Sequence, residues 1–297
     1  MKPDLPRVVP AAVTPLTEGG RELLLDFVPQ HLAYLEHRNA DGVLTLGTNG
    51  EGPSLSLAER KQLIDAVITH RGRLRVFAGT GCAALPETIE LSRYALERGA
   101  DAVMIVPPFY FKDVPAEGLA AYYAQVLDAL PAERKVMLYN IPDVSAVEIT
   151  DGLVETLLAR YEDRLLGIKD TSGDAARTKR YIERFPQLAV YNGSDGNLAA
   201  VAGTGIAGAI SGSANVFPDL IAWILRAHDT GGDVAAAQAG VDRVRALIGK
   251  YPAHAATKRL LHLVAGLPLT YVRPPLRDLT DEEAASLARE AAELELG

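Results

Sequence analysis

The chain has 297 residues, more than the usual single domain, although one large α/β barrel fits that length without a split. Its 48% hydrophobic and 23% charged residues exclude a low-complexity or disordered chain. A formal charge of −8 argues against a nucleic-acid or anionic-membrane surface, and a single cysteine, Cys82, rules out an intrachain disulfide. Cys82 reads as a small buried apolar residue rather than a reactive thiol. No stretch approaches about 18 uninterrupted apolar residues, and MKPDLPRVVPAAVTPL lacks the apolar core of a signal peptide. The expectation is a cytoplasmic protein with no membrane or nucleic-acid partner.

In chain order, RVVPAAVTPL is a first extended apolar run. RELLLDFVPQHLAYLEHR follows, with Leu23, Leu24, Phe27, Leu32 and Leu35 near helical spacing. DGVLTLGT reads as a strand, and Ser56 to Glu59 form a capping box that opens the next helix. LRVFAGTG precedes a helix from about Pro86 to Arg98, and ADAVMIVPP precedes one around Gly118 to Leu130. KVMLYNIP and a helix around Leu153 to Tyr161 lead to RLLGIKDTS, and DAARTKRYIERF leads to LAVYNGSD. A short helix near Leu198 to Ala202, the strand GAISGSANV and the helix PDLIAWILRAH close the series.

These are eight βα units whose short strands are apolar on both faces, as parallel strands covered by helices require. With no glycine-rich dinucleotide turn after the first strand, they predict a (β/α)8 TIM barrel rather than an open doubly wound sheet. DVAAAQAGVDRVRALIGK, HAATKRLLHLVAGL and TDEEAASLAREAAELEL predict a C-terminal three-helix extension, the last opened by a capping box from Thr280 to Glu283. The expected division is a barrel over 1–232 and a helical extension of the same domain over 233–297.

Barrel chemistry sits at the carboxyl ends of strands. Those ends read TPL, GTNGEG, GTGC, PPFYF, YNIP, KDTSGD, NGSDGN and SGSAN, and contain no histidine. His31, His37, His70, His228, His254 and His262 all fall in predicted helices or their ends, and Glu51, Asp170 and Asp195 make a poor transition-metal set. No metal or cofactor is expected.

Lys169 is the one lysine at a strand's carboxyl end, directly after LLGI. The chemistry that suits it is imine formation. An ordinary lysine is only about 0.04% neutral at pH 7, so a nucleophilic one needs dry surroundings. The other reading is a structural ion pair with Asp170. Tyr139 ends the preceding strand and can face the same pocket, as a proton carrier or as a core tyrosine. GTNGEG offers backbone N–H groups with Thr48 and Asn49 for an anion, a weak signal by itself; Glu51 reads as orienting that turn. Tyr110 in PPFYFKD reads as packing or an oligomer contact. Asp195 either accepts hydrogen bonds from substrate hydroxyls or shapes a turn.

Taken together, VTPL, GTNGE, YNIP, GIKDTSGD, VYNGSD, GAISGSANV and RPPLRDLTDEE resemble the dihydrodipicolinate synthase and N-acetylneuraminate lyase superfamily of pyruvate-handling class I aldolases, over nearly the whole chain. The resemblance implies a Schiff base between Lys169 and pyruvate, with Tyr139 relaying protons. It places the pyruvate carboxylate at Thr48 and Asn49, has Tyr110 reach a neighbouring subunit's site in a homotetramer, and lines the pocket with the Ile210 carbonyl. Dihydrodipicolinate synthases carry an arginine two residues after the proline of the YNIP-like motif; Val144 stands there. A valine cannot grip a carboxylate by a charge-assisted hydrogen bond. Where neuraminate lyases have an Asp-Glu pair, this chain has Asp195-Gly196. The chain looks most like 2-keto-3-deoxygluconate aldolases, which implies substrate-hydroxyl contacts from Thr171, Gly193 and Asp195; GTNGE and GTGC are also similar to 4-hydroxy-2-oxoglutarate aldolases. The implied reaction is reversible cleavage of a 2-keto-3-deoxy sugar acid, or a related 2-oxo acid, to pyruvate and an aldehyde. The alternative is condensation of pyruvate with aspartate semialdehyde by a dihydrodipicolinate synthase.

Overall fold

A computed structural model describes residues 5–132 and 135–294. Its strands are β1 (Val8–Pro10), β2 (Gly42–Thr45), β3 (Arg75–Gly79), β4 (Ala102–Ile105), β5 (Lys135–Asn140), β6 (Leu165–Asp170), β7 (Ala189–Asn192) and β8 (Gly208–Ser211). All pair in parallel in the order β1-β8-β7-β6-β5-β4-β3-β2. A bridge between Ala11 and Leu44, with the Ala12 N–H donating to the Leu44 carbonyl at 2.8 Å, brings β1 against β2 and completes the (β/α)8 TIM barrel.

Alternation along each strand sorts the side chains into two sets. Val9, Leu44, Phe77, Met104, Met137, Tyr191 and Ile210 fill the barrel interior. Val43, Val76, Val103, Val136, Ile168 and Val190 face outward, into the layer covered by helices. Those helices are α1 (Phe27–His37), α2 (Leu57–His70), α3 (Leu85–Arg98), α4 (Ala116–Ala129), the single turn α5 (Pro142–Ser145), α6 (Asp151–Tyr161), α7 (Ala175–Arg184), the short α8 (Leu198–Val201) and α9 (Pro218–Thr230).

One irregularity matters for the site. Val136 pairs with Leu165 but Met137 pairs with Gly167, so β6 carries one residue more than β5 at this point. Leu165 faces the helices and Leu166 the interior. Unbroken alternation from there would turn Lys169 toward the helices. The extra residue resets the phase, so that Ile168 faces outward and Lys169 inward.

The first helix begins later than its apolar spacing predicts. Residues 16 and 23 form an antiparallel bridge, the Thr17 N–H donates to the Glu22 carbonyl at 2.9 Å, and Leu24 N–H donates to the Pro15 carbonyl at 2.9 Å. A backbone paired in this way cannot also make helical bonds, so α1 starts at Phe27. The extension consists of α10 (Val234–Ile248), α11 (Ala253–Ala265) and α12 (Asp281–Ala292). Val241, Val244 and Leu247 share one apolar cluster with Ile221 and Leu225 of α9, and Leu260, Leu261 and Leu287 join it. Both predicted capping boxes form, at Ser56–Glu59 and Thr280–Glu283.

Candidate active site

Tyr139 and Lys169 are register partners on β5 and β6. Lys169 is only 4% exposed. Its Nζ donates to the Tyr139 hydroxyl at 3.3 Å and stands 4.4 Å from the centre of the phenol ring. The Tyr139 oxygen is in turn 3.1 Å from Thr48 Oγ1. An amine, a phenol and an alcohol therefore form one short hydrogen-bonded chain along which a proton can move.

Asp170 takes no part in it. Being the next residue in the strand, it faces the other way, where its carboxylate accepts from Asn140 Nδ2 at 2.9 Å, Ser172 Oγ at 3.1 Å and Thr178 Oγ1 at 2.7 Å. The geometry thus opposes the structural ion pair. Gly193, just past β7, is where the lysine needs room: a Cβ there would lie 2.7 Å from Lys169 Cε and 2.1 Å from Thr171 Oγ1.

Thr48 is held by the loop after β2, which takes a left-handed backbone at two non-glycine residues, Leu46 (φ 60°) and Glu51 (φ 50°). Such conformations persist only where surrounding contacts over-determine them. Glu51 supplies those contacts. Its buried carboxylate pairs with Lys258 Nζ of α11 at 2.5 Å and accepts the Arg273 N–H at 2.9 Å. Lys258 also donates to the Tyr271 carbonyl at 2.5 Å. Burial pushes the Lys258 amine below the ordinary lysine range, against the opposing pull of the Glu51 charge. Arg273 grips Glu59 through both terminal nitrogens, at 2.9 and 2.8 Å, and holds its carboxyl down at about 2. One turn before Lys258, the His254 Nε2 lies 3.1 Å from the Thr48 carbonyl; a carbonyl only accepts, so this nitrogen carries the proton.

Above the lysine opens a cavity of about 320 Å³. Tyr139, Thr48 and His254 line it together with Met104, Val106, Phe109, Ile141, Val144 and Leu276. Lys169 is not in that lining and is linked to it by the Tyr139 hydroxyl.

The remaining candidates are placed unevenly. The Thr171 hydroxyl oxygen is buried with no hydrogen-bond partner, next to Gly193. Asn49 packs its amide against Gly212, where a Cβ would lie 2.4 Å from Nδ2. Asp195 Oδ2 accepts the Ser213 N–H at 3.0 Å, tying the ends of β7 and β8, which is the turn-shaping alternative. Ile210 is fully buried inside the barrel, in register with Val9. Tyr110 is 75% exposed beside Phe111, 70% exposed, their rings edge to face at 5.2 Å. Contacts join Lys169, Tyr139 and Thr48 to one another and Lys169 and Thr171 to Gly193, but of the candidates only Thr48 and Tyr139 line the cavity.

His254, Lys258 and Arg273 lie outside the strand-end motifs that pointed to the site. The available signal was their spacing: His254 and Lys258 are four apart and share one face of α11, where a lysine inside an apolar helix needs a buried anion.

The Dihydrodipicolinate synthetase family model matches residues 4–294. The chain is 43% identical over 280 residues to an uncharacterized DapA-like lyase of Chloroflexus aurantiacus, covering 94% of each chain. It is 34% identical to 4-hydroxy-tetrahydrodipicolinate synthase 1 of Streptomyces coelicolor, over 96% of this chain and 92% of that one. Among solved structures it resembles YagE, a dihydrodipicolinic acid synthase family protein of E. coli K12 in complex with pyruvate, with a TM-score of 0.91 and 29% identity over 99% of this chain and 100% of that one. It also resembles the KD(P)GA of T. tenax, with a TM-score of 0.89 and 29% identity over 97% and 98% of the two chains. A barrel of this order and a match along nearly its whole length make the chain a member of the Dihydrodipicolinate synthetase family, an enzyme of the class I aldolase and lyase kind.

Proposed function

We propose that the protein reversibly cleaves a 2-keto-3-deoxy sugar acid, or a related 2-oxo acid, to pyruvate and an aldehyde through a Schiff base on Lys169. The observation that carries this reading is the Lys169 Nζ within 3.3 Å of the Tyr139 hydroxyl, itself 3.1 Å from Thr48. In the cleavage direction the neutral amine attacks C2 of the 2-oxo acid, and loss of water leaves a protonated imine. Tyr139 takes the proton of the C4 hydroxyl, and the C3–C4 electron pair moves into the imine as the aldehyde leaves. The resulting enamine is protonated at C3, and water hydrolyses the imine to release pyruvate and the free amine. Thr48 and the Asn49 N–H hold the pyruvate carboxylate, and the unpartnered Thr171 hydroxyl is available to a substrate hydroxyl.

What supports the sugar-acid reading over dihydrodipicolinate synthesis is Val144, on the cavity lining where an arginine would grip a second carboxylate. Incubating the enzyme with pyruvate and either glyceraldehyde or aspartate semialdehyde separates the two. A six-carbon 2-oxo acid product from glyceraldehyde is expected, and turnover of aspartate semialdehyde alone would contradict the reading. The exposed Tyr110–Phe111 pair supports a contact between subunits, as the homotetramer implied by the resemblance requires; sedimentation as a single chain would oppose it.

A further inference from the structure

Resting on the Schiff-base reading, we infer that the aldehyde half of the substrate is uncharged, and that the chamber beyond Tyr139 selects against phosphorylated and carboxylated aldehydes. At about 320 Å³ the chamber has room for a small substrate. Val106, Phe109, Ile141, Val144 and Leu276, all apolar, make up part of its wall. Among the described residues no lysine or arginine lines it.

Its polar side chains are largely engaged with the protein itself. Glu51 is neutralised by Lys258 and bonded to the Arg273 N–H. Ser145 Oγ donates toward the carbonyls of Ile141 and Val147, at 3.0 and 2.8 Å. His254 gives its Nε2 proton to the Thr48 carbonyl. The basic groups around the chamber are held as well. Lys258 is buried against Glu51 and Arg273 is bidentate on Glu59, while Lys112, bonded to the carbonyls of Phe109 and Ser145, is solvent-exposed and outside the lining. Away from Thr48 and the Asn49 N–H, which take the pyruvate carboxylate, a second anionic group would lose water and meet no lysine or arginine of the lining, which is costly. A neutral chain loses little and covers apolar surface.

The same wall discriminates weakly between neutral aldehydes, because an apolar pocket does not strongly reject an added hydroxyl. Propanal and glyceraldehyde are therefore both acceptors, and glyceraldehyde 3-phosphate is a poor one. Val144 is 61% exposed at the rim, so a charge can be added there without burying it.

The test begins with borohydride reduction in the presence of pyruvate, read by mass at Lys169. Then kcat/KM is measured at pH 8 and fixed pyruvate for propanal, glyceraldehyde and glyceraldehyde 3-phosphate, in the native enzyme and in Val144→Lys. Propanal and glyceraldehyde are expected within about tenfold of one another, both about 100-fold above the phosphate. Val144→Lys should close that gap by about tenfold or more, by raising the value for the phosphate. Equal or better use of the phosphate by the native enzyme, or a gap unchanged by the lysine, overturns the inference. An adduct at Lys169 together with preference for the phosphate defeats this inference alone. No adduct defeats the Schiff-base reading and this inference with it.

Discussion

The Lys169 Nζ meets the Tyr139 hydroxyl and makes no ion pair among the described residues. What matters at this scale is direction. Lys169 and Asp170 are neighbours in sequence on opposite faces of one strand, and the four donors around Asp170, the Ser172 N–H among them, hold its carboxylate away from the amine. If Tyr139 relays the proton, Tyr139→Phe should lower kcat by about 10²- to 10⁴-fold while pyruvate still forms a reducible adduct. Stopped-flow turnover beside adduct mass would check this, and near-native kcat would remove the phenol from the mechanism. Residue type and position brought Lys169, Tyr139 and Thr48 to strand ends but left each a structural alternative, and their roles came from the family resemblance. Type and position could not find His254 or Lys258, because a helical residue far along the chain shows nothing of the loop it will meet.

At the scale of elements, the loop after β2 is fastened to the extension. Glu51 and Lys258 are 207 residues apart and form a fully buried ion pair. Removing one partner strands the other charge without solvent, at a cost of about 3–5 kcal/mol. Lys258→Met should destabilise the protein by that amount in urea unfolding and raise the KM for pyruvate through displacement of Thr48. The double variant Glu51→Gln, Lys258→Met should recover part of the stability. A Lys258→Met protein of native stability and native KM would show that the pair does not hold the loop. The strands themselves were legible because buried parallel strands are near-continuous apolar runs. The extra residue in β6 was not, since it appears only when Val136 and Met137 are matched to their partners. The late start of α1 escaped for the same reason: Leu23 and Leu24 keep helical spacing, but their backbone is committed to residues 15 and 16.

Across the whole molecule, the barrel is closed by non-local pairing, and its stability depends on buried groups far from the site. His31 on α1 is buried, with Nε2 3.4 Å from the Asn215 carbonyl, and burial lowers its pKa from 6.5 to about 4. Between those values the unfolded chain binds a proton that the folded one refuses. Stability therefore falls as pH drops from 6.5 toward 4, by up to about 3 kcal/mol from this group. Urea midpoints at pH 7 and 4.5 should differ less in His31→Gln than in the native protein, and an unchanged difference would exclude His31 as the source. The barrel class and the helical extension followed from counting alternating segments. How the extension reaches back to the loop after β2 required the folded chain, because it depends on long-range contacts that no local pattern encodes.

The proposed chemistry rests on a covalent bond between the Lys169 nitrogen and the substrate, which one measurement tests directly. Enzyme incubated with pyruvate, reduced with borohydride, digested and mapped by mass should carry one reduced pyruvyl group per chain, on Lys169, and Lys169→Arg should carry none. Absence of the group from Lys169, or its appearance on another lysine instead, would contradict the account.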